Sequence, residues 1–115
     1  MRATILGVTG QTREGAGASE SLYRDINEAI ERGQWPGEAG NVSFRCECAR
    51  LRCTQIVRLT VEEYEAVREH SRRFIVAPGH EEPAVESVVE RREGYLVVEK
   101  RDEAARLAEL NDPRR

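Results

Sequence analysis

The chain has few aromatic residues, a single lysine and no long apolar run. Two Phe, three Tyr and one Trp in 115 residues leave no series of rings on which the bases of a nucleic-acid strand would stack. Lys100 is the only lysine among 18 basic residues, and the net charge is −3. No global field therefore drives the protein toward phosphate backbones or acidic membranes. Apolar residues nowhere approach the ~18 in a row that a membrane-spanning helix needs. Ala3-Thr4-Ile5-Leu6-Gly7-Val8 is too short for the core of a signal peptide. The expected location is the cytoplasm, with no membrane partner. Also missing are His-Glu-x-x-His, a Gly-rich phosphate loop, a serine nucleophile elbow and the His-x-Glu with Pro-Cys-x-x-Cys of deaminases. Without any of these motifs, an enzyme is the less favoured class.

Cysteine is confined to one place. Cys46, Cys48 and Cys53 fall within Cys46-Glu47-Cys48-Ala49-Arg50-Leu51-Arg52-Cys53. An odd number of thiols in one short loop does not make a disulfide framework, which spreads pairs along a chain. Such clustering serves a soft metal ion or redox chemistry. Tetrahedral Zn2+ takes four ligands, usually thiolates and imidazoles, and the chain has two histidines, His70 and His80. His80 follows a strand-like segment and the turn Pro78-Gly79, a rigid way to present an imidazole. His70 ends a helical segment, where a histidine also serves helix carbonyls. The expected site is Zn2+ held by Cys46, Cys48, Cys53 and His80, with His70 the alternative fourth ligand. Four protein ligands make the site closed and structural, because a catalytic zinc keeps a position for water or substrate. The Cys-x-Cys spacing is tighter than the usual Cys-x2-Cys, and a bend at Glu47 is expected. Ala49 stands where such knuckles rely on glycine. A Cys53–His80 nucleophilic pair is the catalytic alternative and needs an activated, accessible thiolate. The SWIM finger also begins Cys-x-Cys but continues Cys-x-His, whereas Cys53 is followed by Thr54-Gln55.

With 39% hydrophobic and 34% charged residues, a chain of this length has room for one domain with a small core. In such a domain a metal clip supplies folding energy directly. Residues 1–18, rich in Gly, Thr and Ala, read as a disordered segment preceding a single zinc-stabilised domain over 19–113. Ser19 is placed to cap a helix whose apolar stripe is Leu22, Ile26, Ala29 and Ile30, with Gly33 at its end. Residues 34–40 read as a loop in which Trp35 packs against the core edge. Strands are expected at 42–46 and 55–59, joined by the cysteine loop. Thr60-Val61-Glu62-Glu63 is a capping box, opening a helix that buries Val61, Tyr64 and Val67 and runs to about His70. A strand follows at 73–77. Val85, Val88 and Val89 fit a short helix after Pro83. The β-branched content instead favours a hairpin of 86–91 with 95–100, turning through Gly94. A terminal helix covers 102–110. The expected class is α+β: a small antiparallel sheet of four to five strands, N-terminal, middle and C-terminal helices, and a zinc knuckle between the first two strands.

The segments Phe44-Arg45-Cys46-Glu47-Cys48, Cys53, Glu63-Tyr64-Glu65-Ala66-Val67-Arg68, Pro78-Gly79-His80-Glu81 and Tyr95-Leu96-Val97-Val98-Glu99-Lys100 resemble a group of small uncharacterised bacterial proteins. That group shares the Cys-x-Cys, the third Cys and the Pro-Gly-His-Glu. The resemblance covers about residues 20–113. It implies that Cys46, Cys48, Cys53 and His80 act as one constellation, and it implies no activity. The function read from the residues is a zinc-stabilised regulatory or interaction module whose partner is another protein. One alternative is a nucleic-acid-binding zinc protein using Arg45, Arg50, Arg52, Arg58, Arg72 and Arg73 around the metal loop. In that reading Glu47, Glu62, Glu63, Glu65 and Glu69 dilute the patch. The other is a thiol redox sensor that releases metal on oxidation.

Overall fold

Val42 and Phe44, and likewise Val57 and Leu59, are spaced by two, which puts each pair on one face of an extended chain. The computed structural model describes residues 13–33 and 40–114 and pairs these segments antiparallel. β1 (Asn41–Arg45) lies against β2 (Ile56–Thr60) with Val42 opposite Leu59 and Phe44 opposite Val57. All four are buried, while Ser43 and Arg58, opposite each other on the outer face, are exposed. β2 runs directly into α2 (Val61–Arg68). Thr60 ends the strand and caps the helix: its hydroxyl accepts the Glu63 N–H at 3.0 Å, and Glu63 Oε1 accepts the Thr60 N–H at 2.8 Å. The capping box is thus formed as its sequence requires. Tyr64 and Val67 turn inward, and the Tyr64 ring stacks on Phe44 with centroids 4.4 Å apart. The helix ends at Arg68, two residues short of His70, in a tight turn that leads into the next strand.

A second sheet has the order β3-β5-β4, with β3 (Arg73–Val76), β4 (Glu86–Arg92) and β5 (Tyr95–Lys100), antiparallel throughout. β5 is buried without alternation from Tyr95 to Val98, as a central strand covered on both faces must be. Residues 86–100 form the hairpin, not the short helix. Gly94 has φ +90°, a value costly for any other residue, and the register slips between Val88 and Glu90, a bulge. α3 (Asp102–Leu110) closes the chain with the small residues Ala105 and Ala108 against the core. The class is α+β, with three helices and five strands among the described residues. The strands divide into sheets of two and three instead of forming one.

α1 (Arg13–Gly33) begins six residues before Ser19. Of the segment read as disordered, residues 13–18 are therefore helical. Glu14, Ala16 and Ala18 favour helix enough to carry Gly15 and Gly17 at roughly 1 kcal/mol each. Residues 1–12 and Trp35 lie outside the described residues. Of the expected apolar stripe of α1, Ile26 and Ile30 pack against the core, half-buried, and the rest of the stripe does not. Leu22 is 56% exposed and Ala29 is exposed, while Glu20, Tyr23, Arg24, Asn27 and Glu28 are buried. Each of these polar side chains meets a partner in the interior, which an apolar face would leave unpaired.

Two ionic clusters result. Arg68 donates to Glu28 and to Asp112, both at 2.6 Å. Arg24 lies 3.7 Å from Asp112, donates to the carbonyls of Ser71 and Arg73, and covers the Phe74 ring at 3.7 Å. At the other cluster Lys100 sits between Glu20 and Glu86. Breaking a buried pair leaves an uncompensated charge. Asp112→Ala should therefore destabilise the protein by about 3–5 kcal/mol, read from denaturant unfolding. Burial pushes the Glu20 carboxyl from 4.5 up to about 7 against the pull of Lys100. Between those pH values the folded chain binds more protons at this group than the unfolded chain, so stability falls as pH rises through the window. Glu20→Gln removes the titration. The stability of wild type relative to that variant should decline by about 3 kcal/mol from pH 4.5 to 7; a flat difference would contradict the assignment.

Candidate metal centre

The cysteine segment leaves β1 while its pairing with β2 persists one step further, through the Cys46 N–H on the Gln55 carbonyl at 3.0 Å. In extended backbone, residues two apart share a face. Cys46 and Cys48 bring their sulfurs into one group, and Glu47 between them is buried in the core. Cys53 enters from a turn in which its N–H bonds the Arg50 carbonyl at 3.2 Å, and Arg45 donates to the Cys53 carbonyl at 2.7 Å. The Tyr23 hydroxyl lies 2.9 Å from the Arg50 carbonyl and 2.7 Å from that of Leu51. Ala49 needs no glycine-like backbone: among the described residues only Asp102 and three glycines have positive φ. His80 is presented from the end of β3 by a turn at Gly79 (φ +90°), closed by the His80 N–H on the Ala77 carbonyl at 2.9 Å.

Cys46, Cys48, Cys53 and His80 place their donor atoms within 4.8 Å of one another. His80 Nδ1 lies 3.6 Å from Cys46 Sγ and 3.5 Å from Cys53 Sγ. A tetrahedral zinc with ordinary Zn–S and Zn–N bond lengths has an S···N edge of ~3.6 Å, so the donor set fits such an ion. The Ala77 N–H points at Cys46 Sγ at 3.0 Å, an outer hydrogen bond that suits a thiolate ligand. All three cysteines are buried and His80 is half-buried. Hydrogen bonding from Cys46, helped by His80 and the Arg50 backbone, pulls the Cys48 thiol down to about 4 against burial. The same Cys46–Cys48 contact, with burial, pushes Cys46 up, and burial pushes Cys53 up. His70 is not in the group. It is exposed at the end of α2, in a groove of about 400 Å³ beside Arg73, Arg92 and Tyr95. Of the two candidate histidines, the structure brings His80 to the cysteines.

Glu47 is the site residue that the sequence reading missed. It was counted with the surface charges around the arginines, yet it is wholly buried. Its Oε1 accepts the Ile75 N–H at 3.0 Å, and its Oε2 accepts from Asn27 Nδ2 at 2.8 Å and from the Tyr64 hydroxyl at 3.2 Å. Its own N–H donates to the Ile75 carbonyl at 2.7 Å. Burial pushes this carboxyl above its usual range, opposed by the charge of Arg24 and the bonds from Asn27 and Ile75. The available signal was the Cys-x-Cys alternation itself: when both sulfurs face one point, the residue between them faces away from it, here into the core. The arginines do not form one free basic face either. Arg45 stacks over Tyr23 at 4.9 Å, Arg72 pairs with Glu109 and Arg73 with Glu99.

Four protein donors converging on one point can hold an ion and leave no vertex of a tetrahedron for substrate. His70→Ala is expected to bind Zn2+ as wild type does. His80→Ala should bind about 100-fold or more weakly, beyond the usual loss from an outer-shell change. Competition against a chromophoric chelator measures both. No protein-family model matches the chain, and no curated protein or solved structure matches it.

Proposed function

We propose that the chain holds one Zn2+ through Cys46, Cys48, Cys53 and His80 as a closed structural centre. The domain so stabilised works as a protein-interaction or regulatory module in the cytoplasm. The S···N distances of 3.5 and 3.6 Å carry this reading, because they match the S···N edge of a zinc tetrahedron. Thiolates with an imidazole favour zinc over hard cations, which prefer oxygen ligands. The buried thiols speak against a nucleophilic Cys53–His80 pair and against easy oxidation, both of which need access. Arg45, Arg72 and Arg73 are engaged within the chain, the last two in surface pairs with Glu109 and Glu99. Among the described residues only Arg50, Arg52 and Arg58 of the six are exposed without such an acidic pair, which favours a protein partner over nucleic acid. Leu22, Leu51 and Ile56 are about half exposed and offer apolar surface to such a partner. Among the described residues no helix is long and apolar enough to cross a membrane.

Elemental analysis of untagged protein purified without added metal should give one zinc per chain. Removal of the ion, or Cys46→Ser, Cys48→Ser or Cys53→Ser, should lower Tm by well over about 10 °C, as a loss of only ~3 kcal/mol does in a domain of this size. Binding requires deprotonated thiols and a neutral imidazole, so affinity should fall as pH drops. A metal-free protein whose Tm ignores chelator and all three substitutions would contradict the reading.

A further inference from the structure

α1 contributes no ligand, yet it touches the metal segment beside each of the three cysteines. Asn27 Oδ1 accepts the Arg45 N–H at 2.7 Å, and its Nδ2 donates to the Arg45 carbonyl at 2.9 Å and to Glu47 Oε2 at 2.8 Å. The orientation of this amide is therefore settled by its neighbours. Both Glu47 oxygens consequently face groups that can only donate: the Ile75 N–H and Asn27 Nδ2. One turn earlier in α1, the Tyr23 hydroxyl meets the carbonyls of Arg50 and Leu51, in the turn before Cys53. Arg45, stacked on the Tyr23 ring, donates to the Cys53 carbonyl. The helix thus reads the shape of the loop through hydrogen bonds, which hold only at the right distance and angle. Its fully buried face is Glu20, Tyr23, Arg24, Asn27 and Glu28, with Ile26 and Ile30 only partly buried beside them, so directional bonds hold much of the helix and weaken when those distances change.

We infer that Glu47 is the positioning residue of the metal centre, and that through Glu47 and Tyr23 metal occupancy regulates the docking of α1. This rests on the reading of Cys46, Cys48, Cys53 and His80 as a metal site. An ion held by the four side chains fixes the loop in the shape that Asn27 and Tyr23 recognise. By linkage, helix docking tightens metal binding by the same factor. Loss of the ion loosens α1, while β3, β5 and β4 keep their own apolar contacts among Phe74, Ile75, Val97 and Val98. Glu20 and Glu28 still tie the helix to Lys100 and Arg68. The response is therefore faster opening of α1 and not release of the segment.

The test uses Co2+ as the probe ion, with the full-length wild type, Glu47→Gln and Tyr23→Phe. Glutamine keeps the shape of Glu47 but must turn its NH2 toward one of the two donors. Glu47→Gln should bind Co2+ 10- to 100-fold more weakly, the order seen for outer-shell partners, with altered d–d bands. Tyr23→Phe keeps the ring and should bind roughly 5-fold more weakly, the value of one hydrogen bond. In the wild type, hydrogen exchange at amides 20–33 should accelerate on chelation by a larger factor than exchange in β3 and β5, which follows only the global loss of stability. If both variants bind Co2+ within about twofold of wild type with an unchanged spectrum, or if α1 exchange accelerates no more than exchange in β3 and β5 on chelation, the inference is wrong and the metal site stands. If wild type shows no thiolate–Co2+ bands, the metal reading itself fails, visibly and before any variant is compared. Should Glu47→Gln not fold, Tyr23→Phe and the wild-type exchange decide the matter.

Discussion

Asn27 and Glu47 meet in the interior at 2.8 Å, and each side chain finishes a sheet edge that would otherwise end in unpaired backbone. Asn27 takes both the N–H and the carbonyl of Arg45 at the free edge of β1. Glu47 takes the N–H of Ile75 on β3 with its carboxylate and the Ile75 carbonyl with its own amide. Buried backbone donors and acceptors without partners each cost energy comparable to a lost hydrogen bond. Two small sheets that do not pair with each other can be packed side by side because these two side chains stand in for a missing strand. A helix, two sheets and the cysteine segment are joined at this one contact.

The same economy runs through the rest of the interior. A chain with 39% hydrophobic residues fills its inner surface partly with charge, and each buried charge is matched. Arg68 lies between Glu28 and Asp112, Lys100 between Glu20 and Glu86, and Arg24 between Asp112, two carbonyls and the Phe74 ring. Such pairs add little net stability over well-packed apolar groups, but removing one partner is severe. They specify where α1 and the C-terminal residues sit more than they add energy. The apolar core around Phe44, Leu59, Tyr64, Ile75 and Val98 supplies the non-directional part, roughly 1.5–3 kcal/mol for each large side chain fully buried.

The metal centre belongs to this frame and is not an appendage of it. Cys46 and Cys48 take their direction from the end of β1, Cys53 from a turn braced by Tyr23 and Arg45, and His80 from a Pro-Gly turn that leaves β3. Three of the four donors thus stand at the ends of paired strands. Hydrogen bonds from Ala77 to Cys46 and around Glu47 surround this cluster, which could hold a metal ion.

The chemistry-bearing residues were legible because their signals are local. Three cysteines within eight residues, a histidine after Pro78-Gly79, the Thr60–Glu63 capping box and Gly94 in its hairpin each express a short-range rule of spacing or backbone preference. The division of the five described strands into two sheets and the burial of Glu47 were decided only by tertiary structure. So was the polar face of α1, where Leu22 and Ala29 of the apolar stripe are left outside while Ile26 and Ile30 pack against the core. The partners that reverse those assignments lie far off in sequence: Lys100 is 80 residues from Glu20, Arg68 is 40 from Glu28 and Glu47 is 20 from Asn27. A charged residue read alone belongs in water, and it becomes an interior residue only when its counter-charge or its donors arrive from another element.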